Sequence, residues 1–173
     1  VRALIAANAA AGVDYMELGY KADADLFDRE KFGKWKFCRE EEIVPVIGEN
    51  KTEMKFSCMA DVGRCNFTRD ICQKADSPFD MYRIATYINT IPAAIEMIEY
   101  CEKMGYETTV NIMAVSRETE KEISLALDML GKSPVRAIYI VDSYGSIYPE
   151  EVRVLAAKYL EAGGKYGKEI GIH

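Results

Sequence analysis

Ala137-Ile-Tyr-Ile-Val141, running into Asp142-Ser143-Tyr144-Gly145, and Glu169-Ile-Gly-Ile-His173 are the two stretches whose reading decides the fold. Each is a short apolar run that ends in polar residues, and His173 is the single histidine of the chain. Between them Tyr148 to Glu161 reads as a helix entered through Pro149, whose fixed φ suits the first turn. Short apolar strands separated by a helix point to parallel pairing with both faces of the sheet covered.

The same alternation runs backwards through the chain. Val1 to Ala11 is Ala-rich and helix-like, closed by Gly12, and Val13 to Gly19 reads as a strand. Tyr20 to Gly33 is polar and reads as a long loop, and Cys38 to Ile47 has helical composition that Pro45 ends or kinks. Lys55 to Ala60 reads as the next strand, followed by Asp61-Val-Gly63 as a turn and by one or two helical turns within Asn66 to Lys74. Met81 to Ala85 and Thr108 to Ala114 read as strands. They flank an amphipathic helix over Thr90 to Met104, with Thr90 at its cap and Pro92 in its first turn. Ser116 reads as the cap of a further helix running through Ile123, Leu127 and Leu130 to Gly131.

Six strands alternating with helical segments imply right-handed parallel crossovers. A doubly wound sheet and a (β/α) barrel both fit that pattern. The barrel is favoured because Glu17-Leu-Gly-Tyr20, after the first strand, is no glycine-rich phosphate loop. Polar residues also close nearly every strand, which spreads chemistry around a ring. At 173 residues the chain is short for the ~250 of a whole barrel, so an incomplete barrel spanning residues 1–173 as one partial domain is expected.

Composition excludes several classes. A net charge of −6 argues against a nucleic-acid surface. No apolar stretch reaches the ~20 residues of a membrane span, and the opening segment lacks a cleavage-like flank, so a cytoplasmic location is expected. The entry at Val1 reads as mid-domain. Cys58, Cys65 and Cys72 recur every seven residues, but zinc sites use closer pairs, so the five cysteines read as idle thiols. Asp28-Arg29-Glu30 lies in a charged loop and reads as surface.

The carboxyl ends of the strands supply the candidate site: Glu17, Asp61, Arg83, Asn111, Asp142 with Ser143, and His173. Charges such as Glu17 and Arg83 within apolar strands need partners, and Asn111 puts an amide where only apolar groups are at home. Asp61 reads as ordinary turn chemistry. Asp142 and Ser143 precede their helix by too many residues to be its cap. His173, at a strand tip after Gly171, is placed to bind a metal through its imidazole.

The segment from Ala137 to Val152 with Glu169 to His173 resembles the paired sixth and seventh strands of the DRE-type metallolyases, the barrels of pyruvate aldolases and hydroxymethylglutaryl-CoA lyases. Val13-Asp-Tyr-Met-Glu-Leu-Gly19 resembles the family's second strand. Met59-Ala-Asp-Val-Gly-Arg-Cys65 through Asp80-Met-Tyr-Arg-Ile-Ala-Thr-Tyr87 resembles the third and fourth strands of the 4-hydroxy-2-oxovalerate aldolases. The resemblance implies an α/β fold, a TIM (β/α)8 barrel with about strands 2–7 present. It implies a divalent-metal-dependent lyase that cleaves a 4-hydroxy-2-oxo acid to pyruvate and an aldehyde. His173 becomes a ligand of Mn²⁺ or Mg²⁺, Glu17 and Asp142 catalytic residues, and Arg83, Asn111 and Ser143 substrate-binding residues. Arg83 stands in an R-x-A-T pattern after which the family often has a histidine, where this chain has Tyr87. The family's first strand, with a metal-binding Asp and an Arg, its second metal His and its eighth strand are expected outside residues 1–173, leaving the segment weak or inactive alone. A homo-oligomer or a partner dehydrogenase is also implied. A Claisen-condensing acyltransferase of the isopropylmalate or homocitrate synthase type, and a non-catalytic barrel module, are the alternatives.

Overall fold

The computed structural model describes all residues, Val1–His173. Six strands, β1 (Tyr15–Tyr20), β2 (Lys55–Asp61), β3 (Met81–Thr86), β4 (Glu107–Ile112), β5 (Ala137–Ile140) and β6 (Glu169–Ile172), form one sheet in the order β1-β2-β3-β4-β5-β6. Every pairing is parallel. A doubly wound sheet reverses its strand order part-way. Here each strand lies beside its neighbours in sequence, which is the winding of a barrel.

Alternation along each strand assigns the two faces. From β2 to β5 the even-numbered residues face outward: Phe56, Cys58, Ala60, Tyr82, Ile84, Val110, Ile112, Ile138 and Ile140 all belong to one buried apolar core. Seven helices accompany the strands: α1 (Arg2–Ala10), α2 (Arg29–Phe32), α3 (Glu40–Ile47), α4 (Phe67–Asp70), α5 (Ile91–Lys103), α6 (Glu120–Lys132) and α7 (Pro149–Tyr166). Ala94, Met97, Ile98 and Cys101 of α5, Ile123, Ala126, Leu127 and Leu130 of α6, and Tyr159 of α7 complete the core. Odd-numbered residues face the interior of the curled sheet.

Local sequence accounts for several boundaries that differ from expectation. Helix α6 is capped by Thr119 and not by Ser116. The Thr119 hydroxyl accepts from the Glu122 amide at 3.3 Å, and the Glu122 carboxylate accepts from the Thr119 amide at 2.9 Å. Ser116 lies instead in a single tight turn, Val115–Arg117, entered through Ala114 at φ 55°. Helix α7 continues past Glu161 to Tyr166 and stops at Gly167, φ 65°. The loop after β1 contains α2, whose first turn is capped by Asp28 accepting from the Glu30 amide at 2.9 Å. Pro45 sits in the last turn of α3 without ending it early, and Arg2 of α1 donates to the freed Pro45 and Val46 carbonyls at 2.6 and 2.7 Å. Strand β2 extends one residue further than expected, so Asp61 is a strand residue.

Polar contacts across the interior roll the sheet. The Tyr15 hydroxyl of β1 donates to Glu107 of β4 at 2.5 Å, and Arg136, just before β5, donates to Tyr15 and to Glu107, each at 2.6 Å. Lys55 pairs with the other Glu107 oxygen, and Arg136 reaches Glu169 at 3.2 Å. Burial alone would raise the Glu107 carboxyl, but hydrogen bonds from Lys55, Tyr15 and Arg136 outweigh it and hold it at about 2. This network occupies the amino-terminal end of the strands, the end of a barrel that serves stability.

At the opposite end of β1, the register shifts between Glu17 and Tyr20. Gly19 there lies against the backbone of Trp35, where an added Cβ would stand 2.1 Å from the carbonyl oxygen and 2.9 Å from the Cys38 sulfur.

Two outcomes follow from these contacts. Gly19→Ala must push back a main-chain carbonyl and should lower stability by about 1–3 kcal/mol in urea denaturation. Glu107→Gln should be less stable than the native chain by about 1–2 kcal/mol at pH 7, after allowance for solvent screening. Because the folded carboxyl is depressed, that stability is complete above the unfolded pKa of roughly 4.5 and is lost as pH falls towards 2. The two denaturation midpoints should therefore converge on acidification.

Candidate active site

Arg83 is the inward residue at the centre of β3, and an isolated guanidinium there would be costly to desolvate. Its Nη1 donates to Glu17 Oε2 of β1 at 3.0 Å, with the two side chains 17% and 28% exposed. The guanidinium carbon stands 5.8 Å from the ring centre of Tyr139 on β5. Burial raises the Glu17 carboxyl above its ordinary range, and Arg83 and His173 pull it back. Glu17, Arg83, Tyr139 and His173 line one cavity of about 260 Å³ together with Ser57 and Thr109, and Tyr15, Arg136 and Glu169 of the amino-terminal network line it too.

One step further towards the carboxyl ends, Asp61, Ala85, Asn111, Tyr139 and Gly171 stand in register across β2 to β6. Asn111 is 3% exposed, and its Oδ1 has no hydrogen-bond partner. Thr109 Oγ1 and Asp61 Oδ1 are likewise buried and unpartnered. Gly171 is required here: a Cβ would come within 2.4 Å of the Tyr139 ring, which therefore leans over β6.

The expected site residues thus fall into two groups. Glu17, Arg83 and His173 meet in one cavity, and Asn111 faces the same interior one layer above Arg83. Asp142 and Ser143 stand on the rim and are already engaged. The Asp142 carboxylate accepts from the Ile147 and Ser146 amides, both at 3.1 Å, and these bonds lower its pKa. Ser143 Oγ accepts from the Ala114 amide at 2.8 Å and so ties the end of β4 to the end of β5. Both side chains shape the loop that borders the cavity.

Sequence reasoning passed over Tyr139, Thr109 and Ser57 and took Asp61 for a turn residue. Counting alternate residues from Lys55, or back from Tyr139, would have found them, because every inward residue of β2 to β6 is odd-numbered.

His173 ends the β6 ladder, its backbone amide donating to the Ile140 carbonyl at 2.8 Å, and its side chain is exposed. It offers one imidazole donor of the kind divalent metals accept. No group of three or more His, Cys, Asp or Glu side chains converges on one point. The residues of this chain alone do not make a metal shell. All five cysteines are free thiols, with Cys38, Cys58 and Cys101 buried. No helix is long and apolar enough to cross a membrane.

No protein-family model matches the chain. It is 25% identical over 157 residues to 4-hydroxy-2-oxovalerate aldolase 2 of Mycolicibacterium smegmatis, covering 88% of this chain and 43% of that protein. It is 28% identical over 107 residues to 4-hydroxy-2-oxovalerate aldolase of Geobacillus stearothermophilus, covering 61% and 30%. The chain therefore spans less than half the length of these relatives. Among solved structures, the N-terminal domain of a Bacteroides vulgatus protein assigned as an aldolase superposes with a TM-score of 0.74 at 20% identity, over 98% of this chain and 64% of that one. The HMG-CoA lyase of Brucella melitensis superposes with a TM-score of 0.64 at 10% identity, over 99% and 71%. With its six parallel strands in barrel order and its sequence likeness to the 4-hydroxy-2-oxovalerate aldolases, the chain is a barrel segment similar to the DRE-type metallolyases.

Proposed function

We propose that the protein is a divalent-metal-dependent carbon–carbon lyase that cleaves a 4-hydroxy-2-oxo acid to pyruvate and an aldehyde. The observation that carries this reading is the Glu17–Arg83 pair, held at 3.0 Å inside the cavity that His173 also lines. Breaking the bond between C3 and C4 of such an acid leaves its electron pair on pyruvate as an enolate. That negative charge needs a fixed positive partner in a site shielded from water. Arg83 supplies one. Its planar fork suits a carboxylate, and Glu17 occupies one of its nitrogens and so fixes the direction of the others.

The remaining roles follow from position. Thr109 and Ser57 place hydroxyls beside Arg83, and Asn111 stands one inward position further along β4, its Oδ1 unpartnered. The Tyr139 ring lies 5.8 Å from the guanidinium on the β5 side and offers it an electron-rich face. Asp142 and Ser143 hold the rim loop in shape and act on the substrate through that loop. His173 would give a Mn²⁺ or Mg²⁺ ion one ligand, and the ion needs others besides. Such an ion, when bound, polarises the 2-oxo group. The likeness to two 4-hydroxy-2-oxovalerate aldolases supports this substrate class.

The full-length protein, supplied with Mn²⁺, should release pyruvate from 4-hydroxy-2-oxo acids in a coupled assay. Arg83→Met should lower kcat/KM by about 10²–10³-fold, the scale of losing one charge-stabilising donor. His173→Ala should remove the metal-stimulated rate. Activity that survives both chelation and His173→Ala would sink the proposal.

A further inference from the structure

Asp61 is the last residue of β2, and its place in the alternation with Ser57 and Met59 turns its carboxylate into the ring. Its Oδ1 is buried without a partner. A buried acceptor left unpaired costs about 1–3 kcal/mol, more when charged, and native structures keep few of them. On the far side of Ala85 and in the same register, Asn111 Oδ1 is in the same condition. The methyl group of Ala85 is all that stands between them on β3. The upper layer therefore holds two desolvated acceptors with only a methyl group between them, which favours a ligand that brings a hydrogen-bond donor.

The strand register gives these acceptors a fixed relation to Arg83. Met59 pairs with Arg83, and Asp61 stands two residues further along the ladder, about 6.6 Å at the rise of a parallel strand. That separation suits an acid whose carboxylate lies on Arg83 and whose hydroxyl lies two carbons beyond its oxo group. We infer that Asp61 is the proton acceptor of the site, taking the proton of the substrate's 4-hydroxyl as the carbon–carbon bond breaks. The inference rests on the lyase reading above.

The step balances. The O–H proton passes to the Asp61 carboxylate, and the O–H electron pair forms the aldehyde carbonyl. The C3–C4 bond breaks, and its pair enters the oxo group as pyruvate enolate. C3 then takes a proton from water, and Asp61 returns its own to water.

The surroundings of Asp61 suit this role. Burial raises its carboxyl above the usual range, against the pull of Lys36, from the turn before α3, and of Arg64, from the turn after β2. Glu17 and Tyr20 face it from β1. From β3 and β4 its level meets only Ala85 and the neutral Asn111. A base raised above the ordinary carboxylate range is better matched to a weakly acidic hydroxyl.

The test compares two substrates on the full-length protein and its Asp61→Asn variant, both with Mn²⁺. Oxaloacetate yields the same enolate by losing carbon dioxide, with no hydroxyl proton to remove. Asp61→Asn should cut cleavage of the 4-hydroxy-2-oxo acid by about 10²–10⁴-fold in kcat. It should abolish the acidic limb of the pH profile and leave oxaloacetate decarboxylation within a small factor of the native rate. Its thermal midpoint should not fall, since the change removes an unpaired buried carboxylate. Loss of both reactions, or retention of both, overturns the assignment of Asp61. A native protein silent on both substrates overturns the lyase reading, and this inference with it.

Discussion

Each strand of this sheet has to satisfy two solvents at once. Its outward side chains must be apolar enough to seat a helix, and its inward side chains may carry charge only where a partner crosses the interior. The alternation of a β-strand separates the two demands residue by residue. Even positions from Phe56 to Ile140 build the core, and odd positions from Lys55 to Gly171 line the ring. Nothing in the polar interior would be tolerable if that parity slipped by one residue, because the charges would then meet the helices.

The interior contacts also decide the shape. Strand β1 is paired laterally to β2 alone, yet its side chains reach β3 through Glu17–Arg83 and β4 through Tyr15–Glu107. A flat sheet cannot bring β1 to β4, so these bonds exist only in the rolled form and favour it over an open ribbon. The roll is thereby tied to charges at both levels of the ring. At the amino-terminal level, Glu107 is surrounded by Tyr15, Lys55 and Arg136, and the polar groups there satisfy one another. At the carboxyl level, Asp61, Thr109 and Asn111 each keep a buried atom unpartnered. The two levels thus differ in how far their polar groups satisfy one another, while the cavity that holds Arg83 reaches from one to the other, since Tyr15, Arg136 and Glu169 also line it.

Much of the fold was legible because short apolar runs in strict alternation with helices leave few topologies open. Every strand expected from the sequence is present, with ends displaced by a residue or two. Where the reading failed, a local signal competed with a better one a few residues away. Ser116 has the right chemistry for a cap, but Thr119 has a glutamate three residues on and wins the helix start. Asp61 precedes Val62-Gly63 and so looked like a turn. Its backbone does open the turn, its carbonyl accepting from the Arg64 amide at 3.0 Å, while its side chain still belongs to the strand. The Glu17–Arg83 pairing was not legible, since 66 residues separate the partners and only the roll joins them. The engagement of Asp142 by backbone amides was equally hidden, because it depends on how the loop to Ile147 closes.

The upper layer shows why unsatisfied groups persist there. Its two smallest members, Ala85 and Gly171, stand on either side of the pair Asn111 and Tyr139. Tyr139 leans over Gly171 and fills that side, while Ala85 puts only a methyl group between Asp61 and Asn111. Both acceptors therefore lie one inward position beyond the level of the Arg83 guanidinium. A larger apolar residue at position 85 would relieve no polar atom, since it donates nothing to Asp61 or Asn111. Only a hydrogen-bond donor brought to that level would satisfy those two acceptors, whereas at the level below, Arg83 already has Glu17 as its partner.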